Sequence, residues 1–201
     1  MSEQVVLRGF SWHWNLDKIL IRIGSKTGPG SVRPQILGLL TDLRDEVEAF
    51  LRPGAVYTII PHAETNGHAI FSGAVDVALG VLTIGPQLEN ESDRAFRDGD
   101  MLRGLVLDGF GSDAVAQVYR QTDLAIVAEA RRRGLWPSRR FSPGYKGWPL
   151  VEQRFLFGKV EAEAIGVRLN EACMMIPRKS NSFRVNYYAD RGSSTRRSFV
   201  I

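Results

Sequence analysis

Arg140-Phe141-Ser142-Pro143-Gly144-Tyr145 puts a permanent cation, a fixed bend, a position without a side chain and an aromatic hydroxyl into six residues. The planar arginine fork matches a carboxylate in shape and charge. Pro143 presets one backbone angle, while Gly144 opens angles closed to other residues and lets a ligand approach the main chain. Tyr145 adds a flat face with a polar tip. Together these read as one wall of a pocket for a small molecule carrying a carboxylate and an aromatic ring. Pro-Gly is also a common turn, and a purely structural bend is the other reading of the same residues.

Working outward, the periodicity sorts the chain into helices and strands. Upstream, Ile36, Leu37, Leu40, Leu43, Val47 and Phe50 recur every three or four residues. That spacing predicts an amphipathic helix over 34–51, with Pro34 at its start and Pro53-Gly54 after its end. Residues 55–61 and 78–84 are rich in β-branched and aromatic types and read as strands. Asp100 is a helix cap, and the helical pattern after it is expected to break near Gly109-Phe110-Gly111, resume with Ser112 as a new cap and end at Gly134. Beyond the opening stretch, 150–157 and 160–165 read as helical with Gly166 as terminator, and 174–176 and 183–188 as strands. Helices and strands interleave without a regular βαβ repeat, which predicts an α+β domain with an antiparallel sheet.

The ends read differently. Phe10, Trp12 and Trp14 alternate at period two, as in a short strand or an arm laid on the body. Residues 24–31 (Gly-Ser-Lys-Thr-Gly-Pro-Gly-Ser) form a connector by composition; Lys-Thr precedes the last glycine, the wrong order for a phosphate-binding loop. After Ala189 the chain turns Arg-, Ser- and Gly-rich. The expected organisation is an N-terminal arm over 1–18, one domain over 19–188 and a loosely held basic polar tail over 189–201.

Composition narrows the function classes. The 201 residues are 44% apolar and 24% charged, enough for one globular domain with a core. No apolar run approaches the roughly 20 residues of a membrane span, and no signal-like leader opens the chain, so a cytoplasmic location is expected. The single cysteine, Cys173, excludes an internal disulfide and a multi-cysteine metal site. His13, His62 and His68 lack the spacing of a zinc site and read as loop or surface residues. The net charge is +4, with arginines clustered at 131–133, 139–140 and 196–197. Helix-end solvation accounts for the first cluster. No RNA-binding, zinc-finger or helix-turn-helix signature accompanies them, which argues against nucleic acid. Gly109-x-Gly111 lacks the third glycine of a dinucleotide loop and reads as close helix packing. No nucleophile–base arrangement appears.

Several stretches in one order carry a resemblance. The Arg140–Tyr145 loop resembles the Arg-x-x-x-Gly-Tyr loop of the activation (reactivation) domain of cobalamin-dependent methionine synthase. Leu82-Thr83-Ile84-Gly85-Pro86-Gln87-Leu88-Glu89 and the run 98–113 are similar to that family's strand-turn and following helices. Trp148-Pro149-Leu150 through Phe157 is similar to the helix after the loop. Leu169-Asn170-Glu171 and Met174-Met175-Ile176-Pro177-Arg178-Lys179-Ser180 look like its closing strand and turn. The resemblance spans roughly residues 17 to 188 and is closest to stand-alone forms of the domain.

The resemblance implies a curved, helix-flanked antiparallel sheet whose hollow holds S-adenosylmethionine. It implies Arg140 on the ligand's carboxylate, main-chain contacts at Ser142 and Gly144, and ring contact at Tyr145. Asp123, on the preceding long helix, stands nearest to a family carboxylate available to the ligand's cationic end. The chain departs from the pattern at Gly134, where the family has an acid, and Tyr187 or Tyr188 stands only near the family's closing tyrosine. Pairing with a surface carboxylate is the alternative reading of Arg140.

The function so implied is reductive methylation of a corrinoid: a S-adenosylmethionine-binding component that helps to reactivate oxidised cobalamin in a methyltransferase system. No cobalamin-binding Asp-x-His-x-x-Gly motif is present. Cobalamin would therefore sit on a partner corrinoid-binding protein, with methyltransferase subunits and an external electron donor. The alternative is a non-catalytic assembly subunit that docks on a corrinoid protein without binding S-adenosylmethionine.

Overall fold

The first strand, β1 (Gln4–Leu7), pairs antiparallel with β2 (Gly54–Pro61), with Val5 opposite Tyr57. β3 (Asp76–Thr83) adds to β2 in register from Gly54↔Thr83 to Pro61↔Asp76. β4 (Trp136–Pro137) and β7 (Ser180–Tyr188) complete a five-stranded antiparallel sheet of order β1-β2-β3-β7-β4. β5 (Arg168–Leu169) and β6 (Met175–Ile176) form a separate two-stranded pair. The computed structural model describes residues 3–23, 34–145 and 147–197; the connector expected at 24–31 lies outside them.

β2 and β3 lack polar alternation because both faces of the sheet are covered. One face presents Tyr57, Ala78, Leu82, Phe183, Val185 and Tyr187 to α1 (Leu16–Arg22), α2 (Pro34–Phe50) and α4 (Met101–Arg132). Of the predicted apolar stripe of α2, Leu40, Leu43 and Val47 are fully or almost fully buried there, while Ile36, Leu37 and Phe50 are half-buried against the same core. The opposite face presents Val56, Val77, Leu79 and Val81 to Phe71, Trp148, Leu156 and Ile165. The mixed helix-and-sheet architecture expected from the sequence is the observed one.

Three local readings change. α4 runs unbroken for 32 residues, with Asp100 as its cap accepting from the Arg103 N–H at 3.0 Å. Gly109 does not break it; a Cβ there would lie 2.5 Å from Ile23 Cγ2, so glycine admits α1 against α4. α3 (Gln87–Arg97), not separated in the sequence reading, packs on α4, with Ser92 donating to the Gly104 carbonyl at 2.8 Å. At the N-terminus the strand is residues 4–7. Phe10, Trp12 and Trp14 form the other expected alternative, an arm packed on the core, with Trp12 and Trp14 stacked at 5.7 Å and Trp14 edge-on to Phe110 at 5.2 Å.

The beginning of the expected tail is helical. α6 (Arg191–Arg197) rests against β4, and Ser194 Oγ donates to the Pro137 carbonyl at 2.8 Å. α5 (Gln153–Phe157) follows a 3-10 turn over Leu150–Glu152. Among the described residues no helix is long and apolar enough to cross a membrane.

Candidate functional site

After β4 the chain continues beside β7. The Phe141 N–H donates to the Arg184 carbonyl at 3.1 Å, and the Arg184 N–H to the Phe141 carbonyl at 2.8 Å. This bridge gives the extended segment strand-like alternation, so neighbouring side chains go to opposite faces. Phe141 joins the Trp148 layer, while Arg140 turns towards α4.

There the arginine is enclosed. Arg140 Nη1 donates to the Tyr119 carbonyl at 2.7 Å, and Nε lies 3.0 Å from Asp123 Oδ1. The guanidinium stacks on the Tyr119 ring and lies 5.7 Å from the centre of the Phe183 ring. Tyr119 and Asp123 are four residues apart on α4, which places them on one helix face. The exposures are unequal: 6% for the Arg140 side chain and 40% for Asp123. The guanidinium is therefore inside and the carboxylate faces out. Burial pulls the Arg140 pKa down to about 10, opposed by Tyr119 and Asp123, and the group stays charged at neutral pH. Burial also raises the Tyr119 phenol, with Arg140 acting against it.

The rest of the loop follows on the same segment. Ser142 Oγ donates to Asn181 Oδ1 at 3.3 Å. Gly144 has φ +93° and donates its N–H to the Trp148 carbonyl at 2.8 Å, while the Trp148 N–H returns to the Tyr145 carbonyl at 3.0 Å. Those two bonds close the bend, and its φ is one that glycine alone adopts readily. Tyr145 stands 66% exposed, its ring tilted against Phe141 at 5.9 Å.

The structure thus brings Asp123 and Arg140 into contact and sets Ser142, Gly144 and Tyr145 along the same short segment. The expectation that Arg140 meets a ligand carboxylate changes in one respect: its Nε and Nη1 are already engaged by α4. Tyr119 and Phe183, which wall the arginine, were not singled out from the sequence. The i,i+4 spacing of Tyr119 with Asp123 was the available signal. Gly134, at the position of the missing acid, has φ +70° just beyond α4. Tyr187 and Tyr188 are core residues; the Tyr187 hydroxyl donates to the Ile126 carbonyl at 2.9 Å. Among the described residues no group of three or more His, Cys, Asp or Glu is placed to hold a metal.

A cavity of about 1140 Å³ opens elsewhere, between β1 and residues 157–169, lined among others by Gln4, Ile60, Glu64, Lys159 and Val167. None of the five predicted site residues lines it. The charge pair and aromatic rings of the candidate site lie at Arg140, apart from that cavity.

No protein-family model and no curated protein sequence matches the chain. Among solved structures it is similar to one described as "Crystal Structure of the MetH Reactivation Domain bound to AdoHcy", with a TM-score of 0.61 and 13% identity. The match covers 94% of this chain and 79% of that one. The fold is that of the MetH reactivation domain.

Proposed function

We propose that this domain binds S-adenosylmethionine at the surface where residues 140–145 pass α4, in support of reductive methylation of a corrinoid cofactor. The observation that carries the reading is the Asp123–Arg140 pair, set among aromatic rings in a fold whose solved example holds AdoHcy. Bound there, S-adenosylmethionine would supply a sulfonium methyl group. The residues fit such a molecule. Asp123 presents a carboxylate to a cationic end, and Arg140 fixes that carboxylate from behind by charge and by its grip on the Tyr119 carbonyl. Tyr145 offers an exposed face for an adenine ring. Ser142 and Gly144 set the main chain along the rim.

On this reading the protein contributes binding and orientation, which raise the effective concentration of a methyl group at its acceptor. The corrinoid would be carried by a partner protein, served by methyltransferase subunits and an external reductant. The test is calorimetry of the purified protein with S-adenosylmethionine, alone and beside a corrinoid protein. Heat lost in Asp123→Asn supports the proposal, and silence under both conditions rejects it.

One observation favours a second reading. Arg140 spends Nε and Nη1 inside the protein, as a purely structural arginine would. An assembly subunit would co-purify with a corrinoid protein and give no heat with S-adenosylmethionine.

A further inference from the structure

On the face of β7 away from Arg140, Arg184 and Asn186 point the same way, two residues apart along the strand. Arg184 is 6% exposed and Asn186 is fully buried. Ser138 ties them together: its Oγ accepts from Arg184 Nη1 at 3.1 Å and from the Asn186 N–H at 3.0 Å. The Asn186 side-chain amide donates to the Ile70 carbonyl at 2.9 Å and to the Tyr188 hydroxyl at 3.1 Å. Next to Ile70, Phe71 meets the ring of fully buried Trp148 edge-on at 5.8 Å. Arg184, Asn186 and Trp148 therefore share one layer beneath residues 138–145.

This layer holds three buried polar atoms with no hydrogen-bond partner among the described residues: Arg184 Nε, Trp148 Nε1 and Asn186 Oδ1. Arginine Nε and indole Nε1 are donors only, so each calls for an acceptor. Charge makes a second demand. The Phe141 ring, 5.5 Å from the guanidinium carbon, offsets part of the Arg184 cation. Among the described residues no carboxylate pairs with it, and a buried cation without a counter-ion is costly. Water alone would meet the donors but leave the charge. An anion meets both. A water beside the anion would donate one proton to it and the other to Asn186 Oδ1.

We propose that the layer around Arg184, beneath residues 138–145, binds a small inorganic anion of chloride size together with one bridging water. The anion neutralises the guanidinium and fastens the segment that carries Arg140 on its other side.

The test is thermal unfolding of the full chain at constant ionic strength, with chloride titrated against gluconate, a bulky organic anion. Chloride is expected to raise the midpoint along a saturating curve, by about 3 °C at roughly tenfold excess over Kd. Arg184→Met, which keeps an apolar stem and removes the charge, is expected to lose that response. Equal midpoints in the two salts, or an undiminished response in Arg184→Met, would overturn the proposal. Should that variant fail to fold, crystals of the wild-type chain soaked in bromide decide. An anomalous peak in hydrogen-bonding contact with Arg184 Nε supports the site, and none there refutes it.

Discussion

Arg140 holds Asp123 from behind: a guanidinium 6% exposed lies 3.0 Å from a carboxylate that is 40% exposed. The pair has a direction. Its positive half is fixed by the Tyr119 carbonyl and ring, and its negative half is turned towards solvent. On the proposed reading, a site built this way would recruit cations first and rely on the arginine for aim.

Asp123→Asn should weaken S-adenosylmethionine binding by about tenfold or more, the scale of one charge-assisted contact. The unfolding midpoint should fall as well, because the change leaves the buried Arg140 guanidinium without its carboxylate. Titration calorimetry and a thermal melt on the same sample check both halves. Equal affinity in the variant would remove Asp123 from the ligand site.

Arg140→Met should act on both quantities. Loss of a buried, hydrogen-bonded guanidinium removes about 2 kcal/mol of stability, or roughly 4–8 °C of midpoint. Ligand affinity should fall as well, since Asp123 loses its aim. Combining the variant with Asp123→Asn should add little further loss of binding, which a double-mutant cycle reads directly.

Gly109→Ala tests why α4 tolerates glycine in its middle. Helix propensity alone predicts a gain of about 1 kcal/mol. The added Cβ would lie 2.5 Å from Ile23 Cγ2, and overpacking of that kind costs about 1–3 kcal/mol. Net destabilisation in a denaturant melt is expected; a more stable variant would show that α1 yields freely.

That glycine also marks where the sequence was harder to read. Periodicity located α2 and the two central strands within a residue or two, because their apolar faces are fully buried. A local glycine rule placed a break at 109–111, whereas the reason for Gly109 lies in α1, nearly ninety residues away, as a close approach. The same holds at the site. Arg140 and Asp123 were each visible by residue type, but their contact depends on how the segment after β4 crosses α4. Tyr119 looked like any aromatic on a helix until Arg140 was found against its ring.

Acid stability should report on Glu129. Hydrogen bonds from Arg132 and Arg133 hold its carboxyl at about 2, below the ordinary value of 4.5. A depressed carboxylate pKa contributes stability that is full above the unfolded value and disappears as pH falls through the folded one. Wild-type protein should lose stability between pH 4.5 and 2 more steeply than Glu129→Gln. Parallel acid titration curves would contradict that assignment.

The most direct measurement is a crystal of the chain soaked in S-adenosylmethionine. The account predicts density at the surface where residues 140–145 pass α4, with its cationic end against Asp123 and its adenine against Tyr145. A well-soaked crystal with that surface empty, or with the ligand bound elsewhere, would contradict it.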